Sequence, residues 1–185
     1  MNWKPDLTFA RVAGEQMDDY VHAEVLFFPV GGIGGLQMPA LTIGTWLETA
    51  WRLGVAPEQT GLADARAAIT RIRARVPTLY EAKARREFKS RLESMSMWLE
   101  DLPPRKEPRP LTPGQHTGYL AQAHLRLKLE LLREEVSQTQ DLLARLRGWD
   151  DRLRAIFVPG PFLLEPEVEA AATPKERYWF LFGGI

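Results

Sequence analysis

The chain has 185 residues, 24 basic and 24 acidic side chains, a hydrophobic fraction of 45% and no cysteine. That length suits one domain with its own core, and the composition is that of a folded globular chain rather than a disordered one. Without cysteine there is no disulfide framework, no thiolate metal site and no cysteine nucleophile. The opening stretch MNWKPDLTFA lacks the basic start and apolar run of a secretory signal, and no window reaches the roughly 18 apolar residues of a membrane span. A cytoplasmic protein without a membrane partner is expected.

The first predicted element is a strand in HAEVLFFPV (22–30), with a second short one from Leu41 to Ile43. Between them lie closely spaced glycines. A glycine-rich loop after a strand can cradle a phosphate, but the dinucleotide fingerprint needs Gly-x-Gly-x-x-Gly opening a helix. Gly32, Gly34 and Gly35 have the wrong spacing, Pro39 follows closely, and no Gly-Lys-Ser/Thr occurs anywhere in the chain. The stretch therefore reads as a hairpin turn. Thr45 with Glu48 reads as a capping box ahead of WLETAWRLG, a short amphipathic helix ended by Gly54.

Two apolar series follow. Leu62, Ala65, Ile69, Ile72, Val76 and Leu79 keep 3,4 spacing, as do Phe88, Leu92, Met95, Leu99 and Leu102, but the second series is shifted by two residues. At 100° per residue that shift rotates the stripe by about 200°. Pro77, followed by Thr78 and Glu81 as a capping box, supplies the break, so the spacing predicts helices over 62–76 and 79–102, or one helix bent near Pro77.

DLPPRKEPRPLTPG (101–114) holds five prolines and reads as a connection. Thr112 as cap, Pro113 at the first helical position and Gln115 closing the box then start a further helix. Leu125, Leu129, Leu132, Val136, Thr139, Leu143, Leu146, Leu153 and Phe157 follow 4,3 spacing, broken only at Asp150, which predicts one helix over about 113–157. Its length would be roughly 65 Å. Leu120, Leu127, Leu131 and Leu142 widen the stripe beyond a two-helix seam. After a second break in VPGPFLLEP (158–166), Thr173, Pro174 and Glu176 read as another helix start, and the aromatic block from Tyr178 to Phe182 continues as a helical turn or a strand. That block is too apolar to stay in water and is expected to pack against the N-terminal part.

The fold expected is mainly α: a long, coiled-coil-like antiparallel helical hairpin (62–157) on a small base. The base combines an N-terminal α+β segment (1–61) having a short β-hairpin with a packed C-terminal segment (158–185), all in one domain.

Candidate chemistry is sparse. His22, His116 and His124 show no i,i+4 pair, so a helical zinc site has no ligand set. No serine lies in a Gly-x-Ser-x-Gly elbow. Asp18 with Asp19 and Asp150 with Asp151 are adjacent rather than facing, and read as solvated surface. The six tryptophans read as a compact aromatic core, the alternative being an exposed docking patch. No catalytic, metal or cofactor residues are assigned, no small molecule is predicted and a non-enzymatic protein is expected.

Net charge is zero, yet residues 62–110 carry 12 basic against 7 acidic side chains. Arg71, Arg75, Arg85, Arg86 and Lys89, with Tyr80 nearby to stack a base, form a candidate nucleic-acid stripe. Glu130, Glu134, Glu135 and Asp141 on the opposite arm are equally placed to pair with these cations. The leading expectation is a helical scaffold or adaptor, acting by self-association or by binding another protein, with Leu132, Val136, Leu143 and Leu146 as its interface. The alternative is a nucleic-acid-associated protein using the basic stripe.

Overall fold

A computed structural model describes residues 2–33, 36–57, 60–102, 113–137 and 140–185. The protein is mainly helical, as expected, but its first helix lies where no element was predicted. Helix α1 (Lys4–His22) has a proline in its first turn, with Asp6 placed to favour the positive end of the helix dipole. Phe9, Ala10, Val12, Ala13, Met17, Tyr20 and Val21 are all buried along it. Helix α3 (Thr60–Arg75) packs on α1 at close range. A Cβ built at Gly14 would stand 3.1 Å from the Cα of Ala65, so the two backbones meet across a seam of small residues.

The predicted strand over 22–30 is not formed. His22 ends α1, and of that segment only Phe28 pairs, through a single bridge to Leu41. The glycine loop itself makes the antiparallel hairpin: β1 (Gly32–Ile33) faces β2 (Leu36–Gln37), with Gly32 opposite Gln37. A hairpin thus stands where one was expected, with its strands displaced into the loop, while Gly34 and Gly35 lie outside the described residues.

Ile43 begins helix α2 (Ile43–Leu53) rather than ending a strand. The cap is Thr42, whose hydroxyl accepts the Thr45 N–H at 3.0 Å, so the predicted Thr45–Glu48 box lies inside the helix. A second cap comes from another helix. Glu87 of α4 (Pro77–Glu100) is fully buried and accepts from the Thr42 hydroxyl at 2.7 Å, the Gly44 N–H at 2.9 Å and Arg91 Nε at 2.7 Å. A carboxylate over exposed helix N–H groups is where the helix dipole favours it. A Cβ at Gly44 would fall 2.4 Å from Glu87 Oε1. Gly44→Ala is therefore expected to lower stability by about 1–3 kcal/mol, read as a drop in the urea midpoint at constant m-value.

The break at Pro77 is present and separates two helices. Val76 sits at φ −130°, ψ 57°, outside helical geometry, and takes the capping position instead of Thr78. The two-residue phase shift has a structural counterpart: α3 packs along α1, while α4 packs on α5 (Pro113–Leu132) and α6 (Gln140–Arg154). Thr112 lies outside the described residues, and α5 starts at Pro113.

The single helix expected over 113–157 is two helices. After Leu132 the amides of Glu134 and Glu135 bond three residues back, to Leu131 and Leu132, tightening the last turn. The Ser137 N–H, which a continuous helix would spend on the Arg133 carbonyl, goes instead to Glu81 Oε1 of α4 at 3.0 Å. The 4,3 register survives across the turn: Leu129, Leu132, Val136, Leu146 and Leu153 all remain in the core. Two long arms are thus replaced by shorter helices gathered on one contiguous apolar cluster.

VPGPF forms strand β3 (Val158–Phe162), antiparallel to β4 (Phe182–Gly184). Gly183 sits at φ 143°, open to glycine and not to side-chain-bearing residues. Thr173 caps no helix; short 3₁₀ turns at Pro166–Ala171 and Trp179–Leu181 fill the space before β4. The aromatic block docks on α5, where the Tyr119 hydroxyl donates to the Phe180 carbonyl at 2.8 Å, and meets the N-terminal part, as expected, through Tyr178, whose ring centre lies 5.7 Å from that of Trp51. No described helix is long and apolar enough to cross a membrane.

Candidate functional site

The four leucine and valine positions read as an interface lie mostly inside the protein. Leu132, Val136 and Leu146 are buried in the chain's own core, and Leu143 is half-buried against it. Much of the apolar surface that motivated an external partner for this stripe is covered within the chain by α2, α4 and the C-terminal segment. Of the tryptophans, Trp46 and Trp149 are buried and Trp3, Trp51, Trp98 and Trp179 pack against the core, so the core reading of these residues fits.

The basic residues are dispersed among separate tasks. Arg75 pairs with Asp18 of α1, Arg85 donates to the Ser137 carbonyl, and Arg86 Nη1 donates to the Glu24 carbonyl at 2.7 Å. Arg71 and Lys89 are exposed. Among the described residues no ion pair joins these five cations to Glu130, Glu134, Glu135 or Asp141; Glu135 pairs instead with Arg73, outside the stripe, at 2.9 Å. Glu130 is instead held by Arg126, Arg133 and Arg177, and Glu134 by Arg177.

Two ionic groups are buried that sequence spacing could not reveal. Arg126, almost wholly buried, makes a two-pronged contact with Asp150 at 2.8 Å on each oxygen and lies 4.7 Å from the Phe180 ring centre. Asp150 therefore joins the interior and is not the solvated residue expected. The second group centres on Glu48 of α2, which contacts His124 Nδ1 and, at 2.6 Å, Lys128 Nζ of α5. Burial opposes its ionised form, but the His124 hydrogen bond and the Lys128 charge outweigh burial and hold its carboxyl at about 2. Nearby, Arg52 joins Asp6 and Glu165 at 3.0 Å each. Burial outweighs Arg52 at Asp6, raising its carboxyl, whereas the Arg52 hydrogen bond lowers that of Glu165. These ions satisfy one another, and among the described residues no group of three or more histidine, aspartate or glutamate side chains is placed to hold a metal.

Compared with protein-family models, curated proteins and solved structures, the chain matches none.

An unabsorbed apolar surface lies between α1 and α2. Residues 25–47 contain no charged side chain, and within them Val25 is 48% and Phe27 51% exposed. Pro29, Val30, Gly32, Met38 and Ala40 line an open cleft of about 620 Å³ beside the β1–β2 hairpin. Cations hold the base of this segment in place: Lys83 Nζ donates to the carbonyls of Ala23 (2.5 Å) and Val25 (2.7 Å), and Arg91 lies 5.8 Å from the Phe27 ring centre. The sequence reading passed over Val25 and Phe27 as strand residues. The absence of charge over so long a stretch was the available signal.

Proposed function

We propose that the protein is a non-enzymatic adaptor that binds another protein, or a second copy of itself, through the uncharged segment between α1 and α2. The carrying observation is the exposure of Val25 and Phe27 beside an apolar cleft, on a segment whose backbone is anchored by Lys83 and Arg86. Isolated exposed apolar residues are ordinary; a contiguous uncharged patch with an aromatic at its centre is a feature of docking surfaces. The engagement of Arg75, Arg85 and Arg86 within the chain favours this reading over nucleic-acid binding.

The test is molar mass by light scattering at low and high salt, with and without duplex DNA. A self-associating adaptor gives a dimer or larger at both salts, and Val25→Asp with Phe27→Asp returns it to monomer without loss of thermal stability. A partner-binding adaptor is monomeric, and the same pair of substitutions abolishes capture of its partner. A monomer that gains mass only with DNA at low salt overturns the proposal in favour of Arg71 and Lys89.

A further inference from the structure

Helix α6 packs chiefly on α4 and buries one stripe, Leu142, Leu146, Trp149 and Leu153. Its solvent side carries Arg145, Arg147, Arg152 and Arg154, all exposed, and no lysine. Among the described residues none of the four makes a hydrogen bond or an ion pair, although Asp141 stands four residues before Arg145 and Asp151 four after Arg147. Elsewhere arginines are engaged: every other described one except Arg71 meets a carboxylate or a carbonyl oxygen. Unengaged guanidinium groups are thus concentrated on one helix. Two of them lie over rings, Arg152 at 4.8 Å from the Trp149 ring centre and Arg154 at 4.0 Å from that of Trp179. A guanidinium over a ring keeps its N–H edge free for an oxyanion.

We infer that α6 binds duplex DNA by seating in the major groove. At about 100° per residue, Arg145 and Arg152 fall in one row and Arg147 and Arg154 in a second, roughly 180° around the helix, with about 10 Å of rise between the members of each row. Between the rows, on the side away from the buried stripe, stand Ala144, Gly148 and Asp151, all exposed. A Cβ at Gly148 would meet nothing within 4 Å, so this ridge is slender and open. A groove about 12 Å wide admits one α-helix, and a helix so seated has a phosphate strand on either side. The two arginine rows then face those strands, and arginine suits them because its planar fork matches phosphate oxygens. The small residues face the groove floor, where Asp151 is placed to accept from a cytosine amino group. The major groove of duplex RNA is too deep and narrow for this seating. The surface is separate from the uncharged segment, so the inference does not rest on the adaptor reading.

The test is fluorescence anisotropy of a labelled DNA duplex of about 20 base pairs titrated with the intact chain at about 50 and about 200 mM salt. Binding with Kd on the order of 10 µM is expected at the lower salt and about 100-fold weaker at the higher, since four arginines on four phosphates give a salt slope of about −3.6. Arg145→Ala with Arg147→Ala takes one arginine from each row, neither of them over a ring, and should weaken binding at least about tenfold and reduce the slope by about 2. Gly148→Trp keeps every charge, replaces the poorer helix former and fills the ridge, and should weaken binding as strongly. Unchanged thermal midpoints show that both variants fold. Arg71→Ala with Lys89→Ala, and Phe27→Asp, should leave binding unchanged. No binding at the lower salt, equal binding of duplex RNA, or indifference to either α6 variant overturns the inference. The same substitutions sort the light-scattering outcome. A DNA-dependent gain in mass lost with Arg71→Ala, Lys89→Ala overturns this inference together with the adaptor reading. A gain lost with Arg145→Ala, Arg147→Ala supports it, and the response to Val25→Asp with Phe27→Asp then decides the adaptor reading alone.

Discussion

Arg126→Ala is expected to destabilise the protein by about 3–5 kcal/mol, because it leaves Asp150, and in part Glu130, as poorly compensated charges away from water. Lost attraction is the smaller part of that cost, since a pair of buried ions spends much of its Coulomb energy on giving up hydration. The double variant Arg126→Met, Asp150→Leu should therefore recover most of the loss. Glu130 stays compensated there by Arg133 at 3.2 Å and Arg177 at 2.9 Å. Urea unfolding of the single and double variants forms the cycle. A double variant as unstable as Arg126→Ala would show that the pair is worth more than its desolvation cost.

Glu48→Gln is expected to cost on the order of 3 kcal/mol near neutral pH, the free energy that corresponds to a carboxyl lowered from 4.5 to about 2 by folding. The sign follows from linkage. A carboxylate with a depressed folded value contributes stability that is fully present above its unfolded value and disappears as pH falls through the folded one. The window thus runs from about 4.5 down to about 2, and the wild type should converge on Glu48→Gln across it. Unfolding midpoints of both proteins from about pH 7 to about pH 2.5 measure the effect. A difference that persists unchanged at the acid end would mean that Glu48 stabilises by packing and not by charge.

Local chemistry was legible in the sequence, and contacts between distant segments were not. The break at Pro77 could be read because proline acts on its own turn and on the residue before it. The glycine turn could be read for the same reason. The end of α5 could not: residues 133–137 contain neither proline nor glycine, and the apolar register runs through them, so the helix stops because Glu81, 56 residues earlier, takes the Ser137 N–H. Helix α1 was missed in part because its close approach to α3 runs through Gly14 against Ala65 and Ala68, small residues that register weakly as a hydrophobic stripe. Glu48 was assigned to a cap because its spacing from Thr45 fits a common motif; the actual cap, Thr42, lies three residues earlier, which turns Glu48 inward toward α5. As for the candidate sites, the basic residues were visible in the sequence but their separate engagements were not, and the exposure of Val25 and Phe27 depends on how the segment between α1 and α2 lies on the fold.

Helix α2 is in mechanical terms a short strut, about 16 Å long at 1.5 Å per residue. Its first turn is clamped by Glu87, its middle by Lys128 through Glu48, and its last by Asp6 and Glu165 through Arg52. One end of the strut bears the uncharged segment. Held at three points along its length, the strut fixes where the uncharged segment meets the helical body.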